Sequence, residues 1–299
     1  MKILLTGAAG LLGSELTEKL TTAASTLHLE QLIRQRRTPT PGYVAADLSH
    51  PEGVAQLAAM EWDVIIHTAA AKDPDYCEQH PEEATALNAT GTRLLAAEAA
   101  RRHAKMLYIG TDYVFAGTHP PYAENATPDP VNLYGRTKLA GEQAVLQAAA
   151  DNCSLRVPVL YGQAAGLRHA ALLYGAWRAV VDPREKAIDD GAIRYPTCTE
   201  DVAAAIILLL TRNGRGIFHC TGHDRTTKYR IAVAVAELMG RSHAHLHPQM
   251  EPAPGIAPRP VDSHLASSRL EQLGFAVGRS FADRLASYRD LFPAAAESL

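Results

Sequence analysis

The sequence has 299 residues, 47% of them hydrophobic and 20% charged, and its formal net charge at pH 7 is −3. A chain of this length can bury a large core in one large domain or two coupled ones. It has no long basic run, so nucleic acid is not an expected partner. The longest apolar run, Val202 to Leu210, is far too short to span a bilayer, so we expect no membrane partner and a soluble, cytoplasmic protein.

Cysteine and histidine spacing indicates neither a disulfide framework nor a metal centre. The four cysteines are scattered without CxxC spacing; they are Cys77, Cys153, Cys198 and Cys220. The three histidines of "HAHLH" lie on one face if the stretch is extended, but no carboxylate or cysteine accompanies them; they are His243, His245 and His247. We therefore predict no metal site.

A glycine-rich turn follows the first predicted strand. "KILLTGA" is a short apolar run, and "LLGSELTEKLTTA" after it has helical spacing. Gly7 lies near the end of the first segment, Gly10 between the two, and Gly13 near the start of the second. Gly7 permits a tight turn, Gly10 lets the backbone approach a pyrophosphate, and Gly13 lets the helix pack close to the strand. The helix N-terminus offers free N–H groups and a partial positive charge. The pattern predicts a dinucleotide site, and the alternative is a purely structural turn.

The second predicted strand, in "LHLEQLI", leads into a basic stretch. NAD-binding turns of this type carry an acidic residue about 20 residues beyond the glycines. This sequence instead has Arg34, Arg36 and Arg37 there. Guanidinium groups suit a 2′-phosphate, so NADP is the predicted cofactor; the alternative is a solvated basic loop. Asp47, which ends "YVAAD", and Leu48 are predicted to flank the adenine.

Strands and helices continue to alternate along the chain. In order, they are "DVIIHTA", an Ala-rich helix from about Pro81 to His103, "KMLYIGT", a turn-rich loop, a helix containing "NLYGRTKLAGE", "CSLRVPVLYG", an irregular stretch from Gln163 to Tyr195, the helix "TEDVAAAIILLLTRN", "GIFHCTG", a Pro-rich tail and two further helices. This order predicts an α/β fold with a Rossmann-like, doubly wound parallel sheet. We expect residues 1–162, completed by about 199–222, to form the NADP-binding domain, and residues 163–198 and 223–299 a smaller C-terminal substrate lobe.

Two side chains of the "NLYGRTKLAGE" helix share one face. Tyr134 and Lys138 are four residues apart, which makes them neighbours on a helix. Thr111, in "YIGTDYVF", lies just past a strand's C-terminal end, where ligands bind in open α/β sheets. An ammonium beside a phenol favours phenolate and lowers the phenol pKa from its usual value near 10. We therefore predict that Thr111 binds a substrate carbonyl and that Tyr134 donates the proton while NADPH supplies hydride; the alternative is a surface pair.

The motifs resemble those of a known family. TGxxGxxG, a Thr in "TDYVF" and YxxxK resemble the extended short-chain dehydrogenases/reductases. "YIGTDYVFAGTHPPYAENATPDPVNLYGRTKLAGEQAV" is similar to the dTDP-4-dehydrorhamnose reductase family and, more closely, to its branch with the regulatory beta subunit of methionine adenosyltransferase. "RYPTCTEDVA", "GIFHCTGHDRTTKYRIA" and "RPVDSHLASSRLEQLGF" extend the similarity nearly to the C-terminus.

The resemblance implies roles for individual residues. It implies Thr111, Tyr134 and Lys138 as the catalytic residues, with Tyr134 and Lys138 also at the cofactor. It implies further cofactor contacts at Ala9, Gly10, Leu11, Leu12, Arg36, Arg37, Asp47, Thr68, Ala69, Ala70, Lys72 and Leu160. Tyr113 and Thr197 would line the substrate opening. Val159 departs from the family, because the rhamnose reductases typically have a sugar-contacting Trp there.

The implied activity is NADPH-dependent reduction of a nucleotide-linked 4-keto sugar. The alternative is an NADP-binding regulatory protein with a methionine adenosyltransferase partner. Epimerisation or dehydration is a further alternative, against which the arginine cluster argues. The sequence leaves the oligomeric state open, a homodimer included.

Overall fold

The computed structural model describes residues 1–164, 166–251 and 257–293. Its strands are β1 Lys2–Thr6, β2 Gln31–Arg36, β3 Val44–Ala45, β4 Val64–His67, β5 Lys105–Thr111, β6 Cys153–Val157, β7 Leu160–Tyr161, β8 Lys186–Asp189, β9 Thr197–Cys198, β10 Gly216–His219 and β11 Leu246–Gln249. Its α-helices are α1 Leu11–Thr22, α2 Pro51–Ala58, α3 Pro74–Gln79, α4 Pro81–Thr85, α5 Thr92–Arg101, α6 Leu133–Ala148, α7 Ala171–Val181, α8 Thr199–Thr211, α9 Lys228–Met239, α10 Ser268–Gln272 and α11 Phe281–Ser287.

Seven strands form the central sheet, in the order β10-β6-β5-β4-β1-β2-β3. Every pairing between them is parallel. Because successive side chains of a strand point to opposite faces, Leu107 and Ile109 of β5 pack on the face that α1 and α8 cover. Met106 and Tyr108 pack on the other face, with α2, α5 and α6. The predicted doubly wound α/β fold is confirmed.

A second core lies outside the sheet. It joins buried side chains of β7, α7, α9, β11 and α11, among them Tyr161, Trp177 and Val235. The stretch from Gln163 to Tyr195, expected to be irregular, contains α7 and β8. Buried residues recur at helical spacing along α7, from Leu173 to Val180; packing against α9 orders this helix.

The C-terminal tail, from Leu265 through α10, packs against the central sheet. The sequence had placed this segment in the smaller lobe. Leu265 packs with Val114, Phe115 and Tyr122, and α10 contributes to the core beneath α1 and α8. Arg269 donates hydrogen bonds to the carbonyls of Arg215 (2.9 Å) and Ile217 (2.5 Å) at the outer strand β10. The tail therefore covers an edge that would otherwise present unpaired carbonyls. Residues 252–256 and 294–299, which the sequence also assigns to that lobe, lie outside the described residues.

The expected Ala-rich helix from about Pro81 to His103 is interrupted by one π-helical turn, Ala86–Gly91, between α4 and α5. Such turns widen the helix locally and are frequent at functional sites.

Candidate functional site

The glycine turn between β1 and α1 has the geometry that its sequence predicts. Gly7 has φ +65°, and a Cβ there would lie 2.8 Å from the Ala69 nitrogen. A Cβ on Gly13 would lie 2.2 Å from the Gly7 carbonyl oxygen, so only glycine lets α1 pack this close. Gly10 is the N-cap of α1, and no side chain caps the helix. The backbone around Ala9 and the N–H groups of Leu11 and Leu12 can therefore receive an anion.

Gln35 supports this turn, and the sequence reasoning missed it. Its side-chain oxygen accepts a hydrogen bond from the Gly7 N–H (3.0 Å), and its carbonyl accepts one from the Ala8 N–H (3.0 Å). Its side-chain nitrogen donates to the Ala46 carbonyl (2.5 Å). Gln35 lies two residues after the buried Ile33, on the inward-facing side of β2, and a buried amide at such a position needs hydrogen-bond partners.

The three arginines at the end of β2 do not have equivalent surroundings. Arg34 donates to the Gly42 carbonyl (2.9 Å), and its Cζ lies 4.8 Å from the ring centroid of Tyr43. The Cζ of Arg36 lies 5.8 Å from the same centroid. Within the described residues, Arg36 has no ion pair, so its charge can meet a ligand phosphate.

Arg37 is engaged by an acidic neighbour. Its Nε donates to Asp47 (2.7 Å), which also accepts hydrogen bonds from Ser49. Burial opposes ionisation, but these hydrogen bonds and the Arg37 charge lower the pKa of Asp47. Leu48 is 2% exposed and packs in the core with α2 and α5. The prediction that Leu48 flanks the adenine is therefore wrong for its side chain.

The loop after β4 is held against the glycine turn. Thr68 donates to the Thr6 carbonyl (2.7 Å). Asn88, in the π-helical turn, accepts from the Ala71 N–H (2.8 Å) and donates to the Ala71 carbonyl (2.9 Å) and to Thr137 (3.2 Å). The π turn thus links this loop to α6, and Asn88 is a second residue that the sequence reasoning missed.

The remaining predicted cofactor residues lie around the same crevice. Ala69 borders Gly7, and Ala70 is the next residue of the loop. Lys72 is solvent-accessible, but the surrounding protein desolvates its ammonium and lowers its pKa. Leu160 of β7 is half-buried and packs against both large cores.

The structure brings the three predicted catalytic residues together. Thr111 ends β5, and Tyr134 lies in the first turn of α6, where the Thr111 hydroxyl is close enough to influence the pKa of the phenol. Asn132 caps this helix by accepting from the Gly135 N–H (2.8 Å), which fixes where the first turn lies. Lys138 follows one turn later and is buried.

The predicted influence of Lys138 on Tyr134 is not seen. Burial is the main effect on Tyr134, and it raises the phenol pKa above 10. The Lys138 Nζ donates to the Ile109 carbonyl (2.7 Å) and lies 4.1 Å from the ring centroid of Tyr108. Burial lowers the pKa of Lys138 to about 7, against the effect of Glu142. Burial dominates the pKa of each group and neither is among the main influences on the other, so the expected lowering of the Tyr134 pKa is wrong here.

One predicted substrate residue lies at the crevice and the other does not. Tyr113 is half-buried, and its ring meets that of Tyr134 edge-on at 5.5 Å between centroids. Thr197 is 0% exposed. Its hydroxyl donates to the Tyr195 carbonyl (3.0 Å) and accepts from the Gly222 N–H (2.8 Å). Thr197 therefore holds β9 in place, and its prediction as a substrate residue is wrong.

Basic side chains that the sequence reasoning did not assign lie beyond Tyr113. Arg194 is 3% exposed, its Cζ is 6.0 Å from the Tyr113 ring centroid, and its Nη2 is buried without a hydrogen-bond partner. Lys228 is solvent-accessible, and desolvation together with Arg194 and Arg259 lowers its pKa. Arg259 itself is paired with Asp75 (2.8 Å). Arg194 and Lys228 thus give this end of the crevice a positive potential.

Asp112 is the buried acid between these groups. It accepts a hydrogen bond from Ser263 and a longer one from Thr111 (3.3 Å). Burial raises the pKa of Asp112 to about 6, although Ser263 and the Arg194 charge oppose the shift. The Asp112 carboxyl is therefore still largely ionised at neutral pH, and its charge partly compensates that of Arg194.

The described part of the chain has neither a cluster of metal ligands nor a membrane-spanning helix. Within residues 1–164, 166–251 and 257–293, no three His, Cys, Asp or Glu residues are grouped so as to hold a metal ion. His245 contacts the Ala179 carbonyl, and His247 contacts Glu185. None of the helices in the described part of the chain has the length and apolarity needed to cross a membrane.

Comparisons with known proteins agree with this architecture. The methionine adenosyltransferase 2 subunit beta of Xenopus tropicalis is 35% identical over 297 residues, covering 98% of this chain and 87% of that protein. The dTDP-4-dehydrorhamnose reductase of Mycolicibacterium smegmatis is 31% identical over 295 residues, covering 95% and 84%. The solved dTDP-4-dehydrorhamnose reductase of Bacillus anthracis, in complex with NADP, has a TM-score of 0.83 at 26% identity and covers 96% of this chain and 98% of that one.

The family comparison covers nearly the whole chain. The model described as "RmlD substrate binding domain" matches residues 1–292, which include the glycine turn, the Thr111–Tyr134–Lys138 group and the tail over β10. The chain therefore belongs to the RmlD substrate binding domain family.

Proposed function

We propose that this protein is an NADPH-dependent reductase of a nucleotide-linked 4-keto sugar. The observation that carries the proposal is the convergence of Thr111, Tyr134 and Lys138 beside the glycine turn. Membership of a family that includes dTDP-4-dehydrorhamnose reductases supports it. Under this proposal the sheet with α1 to α6 binds the cofactor, and the second core is the substrate lobe.

The residues present suit NADP. The N–H groups of Leu11 and Leu12 at the uncapped start of α1 would bind the pyrophosphate. Arg36, which has no ion pair in the described chain, would bind the 2′-phosphate. Lys138 would donate to the nicotinamide ribose. When bound, NADPH supplies the hydride that reduces the carbonyl carbon.

Tyr134 would donate the proton to the carbonyl oxygen. Its raised pKa keeps the phenol protonated at neutral pH, which is the form needed to protonate a developing alkoxide, a much stronger base than phenolate. The Thr111 hydroxyl would hold the same carbonyl oxygen. After transfer, the nearby Lys138 ammonium would stabilise the phenolate.

The positive end of the crevice suits an anionic substrate. Arg194 carries a buried, unpartnered Nη2, and Lys228 is accessible next to it. A buried donor without a partner costs free energy that a ligand oxygen would recover. We propose that these two side chains bind the phosphates of the nucleotide sugar.

Reduction can be measured directly with the purified protein. Mixed with NADPH and dTDP-4-dehydrorhamnose or its UDP counterpart, the protein should oxidise NADPH. The oxidation is measured as a loss of NADPH absorbance. NADH in the same assay should be oxidised more slowly. Absence of NADPH oxidation with every nucleotide-linked 4-keto sugar offered would contradict the proposal.

The second candidate is a regulatory role, favoured by relatives named methionine adenosyltransferase 2 subunit beta at 35% identity. In that case the protein would bind a methionine adenosyltransferase catalytic chain. Co-purification of the two chains, with the catalytic rate measured with and without this protein, tests the role. The mass of the free protein in solution tests the homodimer that the sequence left open.

A further inference from the structure

We propose that Tyr108 is a positioning residue for Lys138, supporting its ammonium with the face of the phenol ring and its backbone with the hydroxyl group. This inference depends on the proposed placement of Lys138 at the cofactor, but not on the identity of the sugar. Neither the sequence motifs nor the comparisons assign a role to Tyr108.

Tyr108 and Lys138 are joined by two contacts. The Nζ of Lys138 lies 4.1 Å from the Tyr108 ring centroid. The Tyr108 hydroxyl donates to the Lys138 carbonyl at 3.0 Å. Both side chains are buried, Tyr108 in the middle of β5 and Lys138 in α6. The ring therefore lies between the sheet and the helix and fixes both ends of the lysine.

The surroundings of Lys138 make the Tyr108 ring important for stabilising the ammonium. Among the residues that the structure describes, the Nζ makes one hydrogen bond, to the Ile109 carbonyl at 2.7 Å. Glu142, one turn further along α6, is bound by Arg156 (2.6 Å) and Ser154 (2.7 Å). The Glu142 charge is therefore already largely compensated. The closest groups that stabilise the desolvated Lys138 ammonium are the Ile109 carbonyl and the face of the Tyr108 ring. Cation–π attraction is strongest in such settings.

The remaining titratable neighbours do not replace the ring. His67 of β4 lies 5.8 Å from the Tyr108 ring and is held by Thr6 (2.7 Å) and Thr92 (3.0 Å). Burial and the Lys138 charge lower the pKa of His67 to about 3, so it stays neutral. Tyr134 stays protonated because burial raises its pKa. Neither group offers Lys138 a negative charge at neutral pH.

The ring thus favours the charged form of a lysine whose burial favours the neutral form. Because burial lowers the pKa of Lys138 to about 7, a modest loss of support would deprotonate it at neutral pH. A neutral amine is a poorer donor to a ribose hydroxyl than an ammonium. Tyr108 would therefore set the pH range over which Lys138 binds the cofactor.

The test is NADPH affinity as a function of pH, measured by fluorescence titration on the full chain. In the parent protein, affinity should weaken as pH rises through an inflection that Lys138→Met abolishes. Tyr108→Leu should shift this inflection to lower pH by about one unit. Tyr108→Phe, which keeps the π face, should leave the inflection close to that of the parent while lowering the melting temperature.

Tyr288→Leu is the matched control. Tyr288 is also buried (3% exposed) but lies in the second core, where its hydroxyl meets Cys198. It should lower stability without moving the inflection. An unmoved inflection in folded Tyr108→Leu, or one that persists in Lys138→Met, overturns the inference.

Should Tyr108→Leu fail to fold, fluorinated phenylalanines at position 108 decide the matter. Each added fluorine weakens the π face while barely changing the size of the ring, so the inflection should fall stepwise. Absence of a trend would overturn the inference. No sugar substrate is needed, so a protein that shows the shift but reduces no keto sugar would contradict the proposed function alone.

Discussion

At the scale of single residues, partners decide which arginine can bind a phosphate. Arg34 stacks on Tyr43 and bonds to Gly42, and Arg37 is paired with Asp47. Arg36 is the one of the three whose side chain makes no hydrogen bond or ion pair within the described residues. The sequence predicted a phosphate site from all three together; their different partners indicate Arg36 as the main contact.

Arg36→Ala should therefore weaken NADPH binding by about 1.5–3 kcal/mol, since it removes a charge-assisted hydrogen bond to the 2′-phosphate. NADH binding should change little, because NADH lacks that phosphate. Arg37→Ala is the matched control. It should weaken NADPH binding less than Arg36→Ala does, since Arg37 already bonds to Asp47. Fluorescence titration of both cofactors measures this; equal losses for NADPH and NADH in Arg36→Ala would contradict it.

Residue types and spacing predicted which side chains meet, but not their electrostatics. Helical spacing alone places Tyr134 and Lys138 on one face, and Thr111 follows from its position at a strand end. The direction of the Tyr134 pKa shift depends on burial by distant segments, which spacing cannot show. For the same reason Thr197 and Leu48 were misassigned, because Thr197 is held by Gly222 and Leu48 is buried with residues of α5, and both partners are distant in sequence.

At the scale of elements, the junction of β1 and α1 depends on backbone proximity. A Cβ on Gly13 would meet the Gly7 carbonyl oxygen at 2.2 Å and the Ala8 Cα at 2.7 Å. Both are backbone atoms, so α1 itself would have to move. The anion-binding end of α1 would move with it.

Gly13→Ala should thus lower the free energy of unfolding by at least 1–3 kcal/mol, as overpacking does, and weaken NADPH binding. Gly175→Ala is the control within helix α7, where a Cβ meets nothing within 4 Å. It should be neutral or stabilise by about 1 kcal/mol through helix propensity. Urea unfolding and cofactor titration of both variants test the contrast; a Gly13→Ala protein with parent-like stability and affinity would refute the close-packing argument.

Elements with strong local patterns were predictable, and elements that depend on distant packing were not. The first strand, glycine turn and helix follow from adjacent residues. Helix α7 and the return of Leu265 and α10 to the sheet could not be predicted from adjacent residues, because each is ordered by partners remote in sequence. The π turn at Asn88 was also hidden, since its alanine-rich sequence is equally compatible with regular helix.

At the scale of the whole molecule, buried histidines make stability depend on pH. His219 is fully buried, and burial together with the Arg156 charge lowers its pKa to about 3. In the unfolded chain a histidine has a pKa near 6.5. Between these values the unfolded state binds more protons, so stability falls as pH falls from about 6.5 towards about 3. Asp112, whose folded pKa is raised to about 6, acts in the opposite direction between about 3.8 and 6.

His219→Gln isolates the histidine contribution, because glutamine does not titrate. From about pH 6 to about pH 5, the parent should lose up to about 1.4 kcal/mol more unfolding free energy than the variant. Urea unfolding at the two pH values measures the difference. Parallel pH dependence in parent and variant would show that His219 is not held neutral in the folded protein.

The most direct measurement of the central claim is the rate of keto-sugar reduction by Tyr134→Phe. The ring and its edge-on contact with Tyr113 remain, so folding and NADPH affinity should match the parent. The proton donor is lost, so turnover on any nucleotide-linked keto sugar that the parent reduces should fall by about 10²–10⁴-fold. A Tyr134→Phe protein that binds NADPH and reduces that substrate at the parental rate would contradict the account.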